Sequence, residues 1–181
     1  MERLWAPWRL AYVKADRPDG DTRTAEACVF CVAVGRGDDD SLIVHRGRTA
    51  YALLNLYPYT NGHVLVTPYR HVAAPAELTD EEQLELWSLV NHSLAALDTA
   101  MAPHGANVGM NLGVDAGAGV AAHLHVHVVP RFRGDTNFMA SFAETRVLPQ
   151  SLSDTWRALR DAWPRAGDET GHPAPIRGSR T

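Results

Sequence analysis

The run His123-Leu124-His125-Val126-His127-Val128-Val129-Pro130 alternates imidazoles with aliphatic side chains, and it constrains this chain more than any other feature. Period-two alternation predicts a β-strand, in which successive side chains point to opposite faces. The three imidazoles then share one face, about 7 Å apart along the backbone. The aliphatic residues pack on the other. Val or Ile would suit each histidine position better if packing were the only demand. An imidazole titrates near neutrality and serves as nucleophile, proton shuttle or metal ligand. Three of them on one strand face mark a reactive site.

The 181 residues suit one domain with a short extension, and 45% of them are hydrophobic, enough for a core. A formal net charge of −4 gives no broad basic surface, so a nucleic-acid partner is not expected. No apolar run approaches a signal peptide or a membrane span, and a cytoplasmic location with no membrane partner is expected. The only cysteines, Cys28 and Cys31, are spaced C-x-x-C. In a reducing compartment that spacing favours metal or redox chemistry over a structural disulfide. The composition divides the chain into an N-terminal extension over 1–25, a domain over 26–165 and a disordered tail over 166–181. Trp5 and Trp8 in the extension are expected to dock on the domain or on a partner subunit.

Within the domain, Ser41–His45 and Tyr51–Tyr57 read as strands joined by a turn at Arg46-Gly47-Arg48. Asn61-Gly62 is a turn signal leading into a third strand, His63–Thr67. Thr79–Met101 is the strongest helix. Thr79-Asp80-Glu81-Glu82 supplies a capping box, and Leu84, Leu86, Trp87, Val90, Leu94, Leu97 and Met101 recur at helical spacing as a candidate buried stripe. A fourth strand is expected over Asn107–Leu112, then a glycine-rich loop, then the histidine strand. Asp154–Trp163 reads as a late helix. The architecture implied is α+β: a mainly antiparallel sheet with the long helix packed on it and a C-terminal helix.

The loop Gly113-Val-Asp-Ala-Gly117-Ala118-Gly119 directly precedes the histidines, and glycines let backbone N–H groups approach an anion closely. It is not a nucleotide P-loop, because no Gly-Lys-Ser/Thr follows, and not a dinucleotide fingerprint, because no helix follows. Asn55, His63 and Asn111 stand at predicted strand ends around the triplet. Arg131 and Arg133 follow it, and a guanidinium suits phosphate.

Taken together these residues resemble the histidine triad superfamily of nucleotidyl hydrolases and transferases. His123-Leu-His125-Val-His127-Val-Val matches its His-φ-His-φ-His-φ-φ signature, and Asn55-Leu-Tyr-Pro-Tyr-Thr-Asn-Gly62-His63-Val-Leu-Val resembles its upstream strand pair. The likeness covers about residues 26–140. Leu4-Trp5-Ala-Pro-Trp8-Arg9, Pro130–Met139 and Val147-Leu-Pro-Gln150 look like a bacterial subgroup that includes diadenosine tetraphosphate phosphorylases. The resemblance implies the family's fold and a covalent nucleotidyl intermediate on His125, formed at the α-phosphate of a nucleotide conjugate. Water or inorganic phosphate would release it. It implies further that His127 contacts the phosphate and His63 supports the cluster. His123 holds the strand or a metal, and Asn55 meets the ribose. Asn111 with Gly117, Ala118 and Gly119 binds phosphate oxygens. No metal or other cofactor is expected in the chemistry itself. Related proteins imply a structural zinc on Cys28, Cys31, His71 and His123, and a homodimer or homotetramer. The chain departs from the subgroup at Ala118-Gly119, where Gly-Ser is common, at Phe132, where Trp is common, and at Ala122, where an acidic residue is common. Alternatives are a hydrolase of another nucleotide conjugate, a three-histidine zinc hydrolase and a non-catalytic nucleotide-binding module.

Overall fold

A computed structural model describes residues 24–135 and 150–165. Trp5, Trp8, the stretch from Thr136 to Pro149 and the tail from Ala166 lie outside the described residues. In chain order the elements are α1 (Val29–Val34), β1 (Ile43–Arg46), β2 (Ala50–Leu54), β3 (Val64–Pro68), α2 (Asp80–Met101), β4 (Gly105–Gly109), β5 (Val126–Arg131) and α3 (Leu152–Asp161). The strands form one five-stranded sheet in the order β1-β2-β3-β5-β4, every pair antiparallel. The α+β architecture expected from the sequence is the observed one.

Alternation along the strands sorts the two faces. Val44, Ala50, Ala52, Leu54, Val64, Val66, Val126 and Val128 point to one side, where they pack with Leu86, Leu89, Val90, Ala96 and Leu97 of α2 and Leu159 of α3. Ile43, Tyr51, Leu53 and Leu65 point to the other side and pack with Cys28 and Phe30. Leu65 is registered with Leu53 on one flank and with His127 on the other. The histidines therefore belong to the α1 side of the sheet, away from the main aliphatic core.

The long helix begins as its capping box dictates: Thr79 Oγ1 accepts from the Glu82 N–H, and Glu82 Oε2 accepts from the Thr79 N–H. Its buried stripe is shifted from the expected one. Leu86, Leu89, Val90, Ser93, Ala96 and Leu97 face the sheet, whereas Leu84 is 76% and Trp87 48% exposed. Ser93 and Ala96 keep the helix close to the sheet because they are small. A count of large apolar residues passes over them. Strand bounds also move: β1 spans Ile43–Arg46, β2 ends at Leu54, β3 spans Val64–Pro68 and β4 spans Gly105–Gly109. The β1–β2 turn is anchored from α2, where the Glu85 carboxylate accepts from the Arg48 and Thr49 N–H groups and the Thr49 hydroxyl. The indole N–H of Trp156 on α3 donates to the Ile43 carbonyl at 2.9 Å, covering the outer edge of the sheet at β1.

Candidate active site

Three short segments build the site: the β2–β3 loop from Asn55 to His63, the stretch from His123 into β5, and α1 across the sheet face. The ladder of β5 begins at Val126, so His123 and His125 stand just before it, while the alternation of faces already holds. Phe30 of α1 lies against the triplet, its ring centroid 5.2 Å from that of His123 and 5.0 Å from that of His125. The rings of His125 and His127 meet edge to face at 4.9 Å, and those of His127 and His63 lie 5.1 Å apart. The side chains thus converge more tightly than the backbone spacing alone implies.

The hydrogen bonds fix which nitrogen of each ring carries the proton. The Tyr59 backbone N–H donates to His63 Nδ1 at 3.1 Å, so that nitrogen is an acceptor. The Asn55 amide agrees. Its Oδ1 accepts from the Tyr57 N–H at 3.0 Å, which leaves Nδ2 facing His63 Nδ1 at 3.3 Å. His63 Nε2 therefore bears the proton and donates to His127 Nδ1 at 2.9 Å. His127 Nε2 is then an N–H donor, and it is buried with no partner among the described residues. His125 is set the other way. Its Nδ1–H donates to the His123 carbonyl at 2.8 Å, leaving the Nε2 lone pair available. A lone pair and an N–H donor stand on neighbouring rings.

Burial disfavours the charged form of His125 and His127. Burial lowers the His125 pKa, opposed in part by its hydrogen bond to the His123 carbonyl. Burial, helped by neighbouring His125, pushes His127 down to about 4. A neutral imidazole is the nucleophilic form.

His123 is turned elsewhere. Its Nε2–H donates to the Pro68 carbonyl at 2.9 Å, and its Nδ1 faces Cys28 Sγ at 3.3 Å and Cys31 Sγ at 3.5 Å. His71 Nδ1 lies 3.4 Å from Cys31 Sγ. The ligand atoms of Cys28, Cys31, His71 and His123 all lie within 4.8 Å of one another. Two sulfurs and two imidazole nitrogens at those separations could hold a metal ion, and the Pro68 carbonyl orients one of the imidazoles as an outer-shell partner does. Burial and the neighbouring Cys28 push the Cys31 thiol up to about 11, so the pair resists becoming two thiolates unless a cation joins it. This is the only such cluster among the described residues, and it takes His123 without His125 or His127. That arrangement does not fit a hydrolase holding zinc on the three histidines together.

The remaining sequence candidates divide. Asn55 reaches the cluster through His63. Gly109 is registered with His127 as the last pair of the β4–β5 ladder, and Asn111 follows it by two residues, beyond the end of β4. In the glycine loop, the Gly117 N–H donates to Val114 O at 2.9 Å and the Ala118 N–H to Gly113 O at 3.3 Å, so two of the three expected cradle amides are committed within the loop. Arg131 pairs with both carboxylate oxygens of Asp135 and with Asn107, which occupies its guanidinium. Reading the sequence missed Phe30 and Tyr59. Phe30 stands inside the C-x-x-C pair, and Tyr59 lies within the Asn55–His63 segment, so position relative to the motifs was the available signal.

A family model for the HIT domain matches residues 36–134. AP-4-A phosphorylase of Mycobacterium tuberculosis is 43% identical over 168 residues, covering 91% of this chain and 86% of the relative. The asymmetrical bis(5'-nucleosyl)-tetraphosphatase of Schizosaccharomyces pombe is 36% identical over 95 residues, 52% of each chain. Among solved structures, a Zn-bound histidine triad family protein from Mycobacterium smegmatis superposes with a TM-score of 0.61 at 27% identity, over 77% of this chain and 94% of that one. The chain belongs to the HIT domain family. It is a histidine triad enzyme of the nucleotidyl transferase and hydrolase class.

Proposed function

We propose that this enzyme is a diadenosine tetraphosphate phosphorylase working through a covalent nucleotidyl-His125. The observation that carries the reading is the opposed pair of nitrogens: a lone pair on His125 Nε2 beside an N–H on His127 Nε2 that has no partner among the described residues. His125 Nε2 attacks the α-phosphorus, an N–P bond forms, and the bond to the bridging oxygen breaks with its electron pair leaving on ATP. His127 Nε2–H donates to a phosphoryl oxygen as charge develops there. An oxygen of inorganic phosphate then attacks the same phosphorus. The N–P pair returns to Nε2, and ADP departs. Asn55 meets the ribose, while Asn111 and the loop at Gly117–Gly119 face the phosphates. The likeness to a phosphorylase over nine-tenths of the chain supports phosphate as acceptor. The likeness to a tetraphosphatase, confined to half the chain, supports water as the second candidate acceptor.

Cys28, Cys31, His71 and His123 would hold a zinc ion. When bound it would supply a structural cross-link between α1, the segment after β3 and the start of the histidine strand. A homodimer joined at the outer edge of the sheet at β4, where Val108 is exposed, fits the family. Among the described residues no helix is long and apolar enough to cross a membrane, and a cytoplasmic enzyme is proposed. The test is the product set from diadenosine tetraphosphate, with and without inorganic phosphate, for wild type and His125→Ala. ADP and ATP formed only with phosphate, and lost by at least about 10³-fold in the variant, are expected. AMP and ATP formed without phosphate would make water the acceptor. Turnover retained by His125→Ala would remove the nucleophile assignment.

A further inference from the structure

Tyr59 touches both rings of the relay and has no role in the scheme above. Its ring stacks on His127 with an interplanar angle of 16° and a centroid distance of 5.7 Å. The same ring lies 4.7 Å from that of His63. Its backbone N–H is the donor that sets the His63 tautomer. Tyr59 itself is 45% exposed, yet His127 Nε2 is buried. The aromatic ring therefore forms a roof between solvent and the two imidazoles.

We propose that Tyr59 is a positioning residue for nucleotidyl transfer, holding His127 with its Nε2–H aimed at the phosphate. The inference rests on the reading of His125 as nucleophile. A terminal ring torsion of histidine is broad and easily turned. One hydrogen bond at Nδ1 leaves the ring free to tilt about that bond, and a flip would exchange Nδ1 for a carbon. His125 meets the His127 ring edge to face and limits motion on one side. Tyr59 closes a second side by offset stacking, an arrangement in which aromatic rings attract. The segment that carries it is fastened on both sides. The Tyr57 N–H is held by Asn55 Oδ1 at 3.0 Å, and Thr60 Oγ1 donates to the Pro130 carbonyl at 2.8 Å. Pro58 fixes its own φ immediately before Tyr59. The ring is therefore part of a pinned turn. Dryness is the second contribution: water admitted to the His63–His127 bond would compete for both nitrogens and let His127 exchange tautomers.

The test compares wild type with Tyr59→Phe and Tyr59→Leu, as full chains. Tyr59→Phe keeps the ring and should stay within about twofold of wild type. Tyr59→Leu keeps an apolar side chain and the backbone donor but loses the stack. It should lower kcat on diadenosine tetraphosphate by about 10- to 100-fold with KM little changed, as a misplaced catalytic group does. Nitrogen-15 spectra of the imidazoles read the cause directly. Wild type and Tyr59→Phe should show His127 protonated at Nε2 alone, and Tyr59→Leu should show a mixture of both tautomers. A Tyr59→Leu enzyme with unchanged kcat and an intact Nε2–H overturns the proposal. So does a rise in KM alone, which would make Tyr59 a substrate contact, and so does a Tyr59→Phe loss as large as that of Tyr59→Leu. If wild type turns over no dinucleoside polyphosphate, the proposed activity fails, while the imidazole spectra still decide the role of Tyr59. If Tyr59→Leu does not fold, wild type decides: His127 protonated at Nδ1 in its spectrum sinks the idea, and Nε2–H supports it.

Discussion

His123 and His127 stand four residues apart on one sheet face, and the fold treats them oppositely. His123 spends Nε2 on the Pro68 carbonyl and turns Nδ1 to two thiols. His127 spends Nδ1 on His63 and leaves Nε2 buried without a partner among the described residues. Each imidazole has one nitrogen fixed by a neighbour and one left for chemistry. In the proposed reading, the difference between a structural ligand and a reactive-site donor lies in which nitrogen the surroundings take. The motif supplies the rings. The loops on either side, Pro68–His71 and Asn55–His63, decide their use.

The largest expected effect is a split between two variants. His127→Gln should lower kcat by about 10²–10⁴-fold, the range for loss of a positioned proton donor, with the melting temperature almost unchanged. Cys28→Ser should do the reverse: bound zinc falls below one per chain and the melting temperature drops on the order of 10 °C, while the folded fraction keeps most of its activity. Metal content, thermal unfolding and kcat measured on both proteins check this. If Cys28→Ser loses activity at full stability, the two histidine environments are not separate in function.

A second way to strain the comparison is Gly62→Ala, because Gly62 directly precedes His63 and packs toward Pro130 of β5. Its φ is +84°, and an added Cβ would meet Met101 Sδ at 2.8 Å and Leu97 Cδ2 at 2.9 Å. Side-chain collision and a left-handed backbone together should cost about 1–3 kcal/mol in urea unfolding. The shift should reach the relay as well, so kcat should fall while zinc content holds. Equal loss of metal would show that the two regions move as one.

The fold was largely legible because period-two patterns and the capping box are local. Val64, Val66, Val126 and Val128 follow the alternation, and Thr79 with Glu82 sets the helix start. The helix face was misjudged at Leu84 and Trp87, because core contact on α2 runs through small residues, Ser93 and Ala96, that hydropathy counts undervalue. The triplet was legible as a site, but the tautomers were not. They depend on a backbone N–H at Tyr59 and a carbonyl at Pro68, groups every residue carries and no motif can announce. Asp38 is a similar case: it stands between Arg46 and Arg160, which keep that carboxyl below its usual range despite burial, and no local motif signals either pairing.

Acid should weaken the His127 environment in a defined window. In the unfolded chain a histidine titrates near 6.5, and in the fold burial and His125 hold His127 near 4. Between those values the unfolded chain binds a proton that the folded one refuses. The contribution is therefore complete above pH 6.5 and is lost as the pH falls from there through 4. Urea midpoints for wild type should decline across that window, and His127→Gln should decline less steeply. Using His127→Gln as the comparison keeps the metal ligands common to both proteins. Parallel curves would mean that His127 does not hold its depressed pKa.

The smallest expected effect concerns the choice of acceptor. Gly119 stands where a serine is common in the phosphorylase-like subgroup. A Cβ built there meets nothing within 4 Å among the described residues, so Gly119→Ser is sterically compatible with them. The neighbouring Gly117 and Ala118 N–H groups donate inside the loop, which leaves a hydroxyl at 119 as a plausible new donor to an anion. If inorganic phosphate approaches the nucleotidyl-His125 from this loop, Gly119→Ser should raise the ratio of ADP to AMP by about two- to tenfold, one added hydrogen bond's worth. Its total turnover should barely change, because the first transfer to His125 does not use the acceptor site. A ratio unaltered at subsaturating phosphate would place the acceptor elsewhere and leave Asn111, two residues beyond the last β4–β5 pair, as the next position to vary.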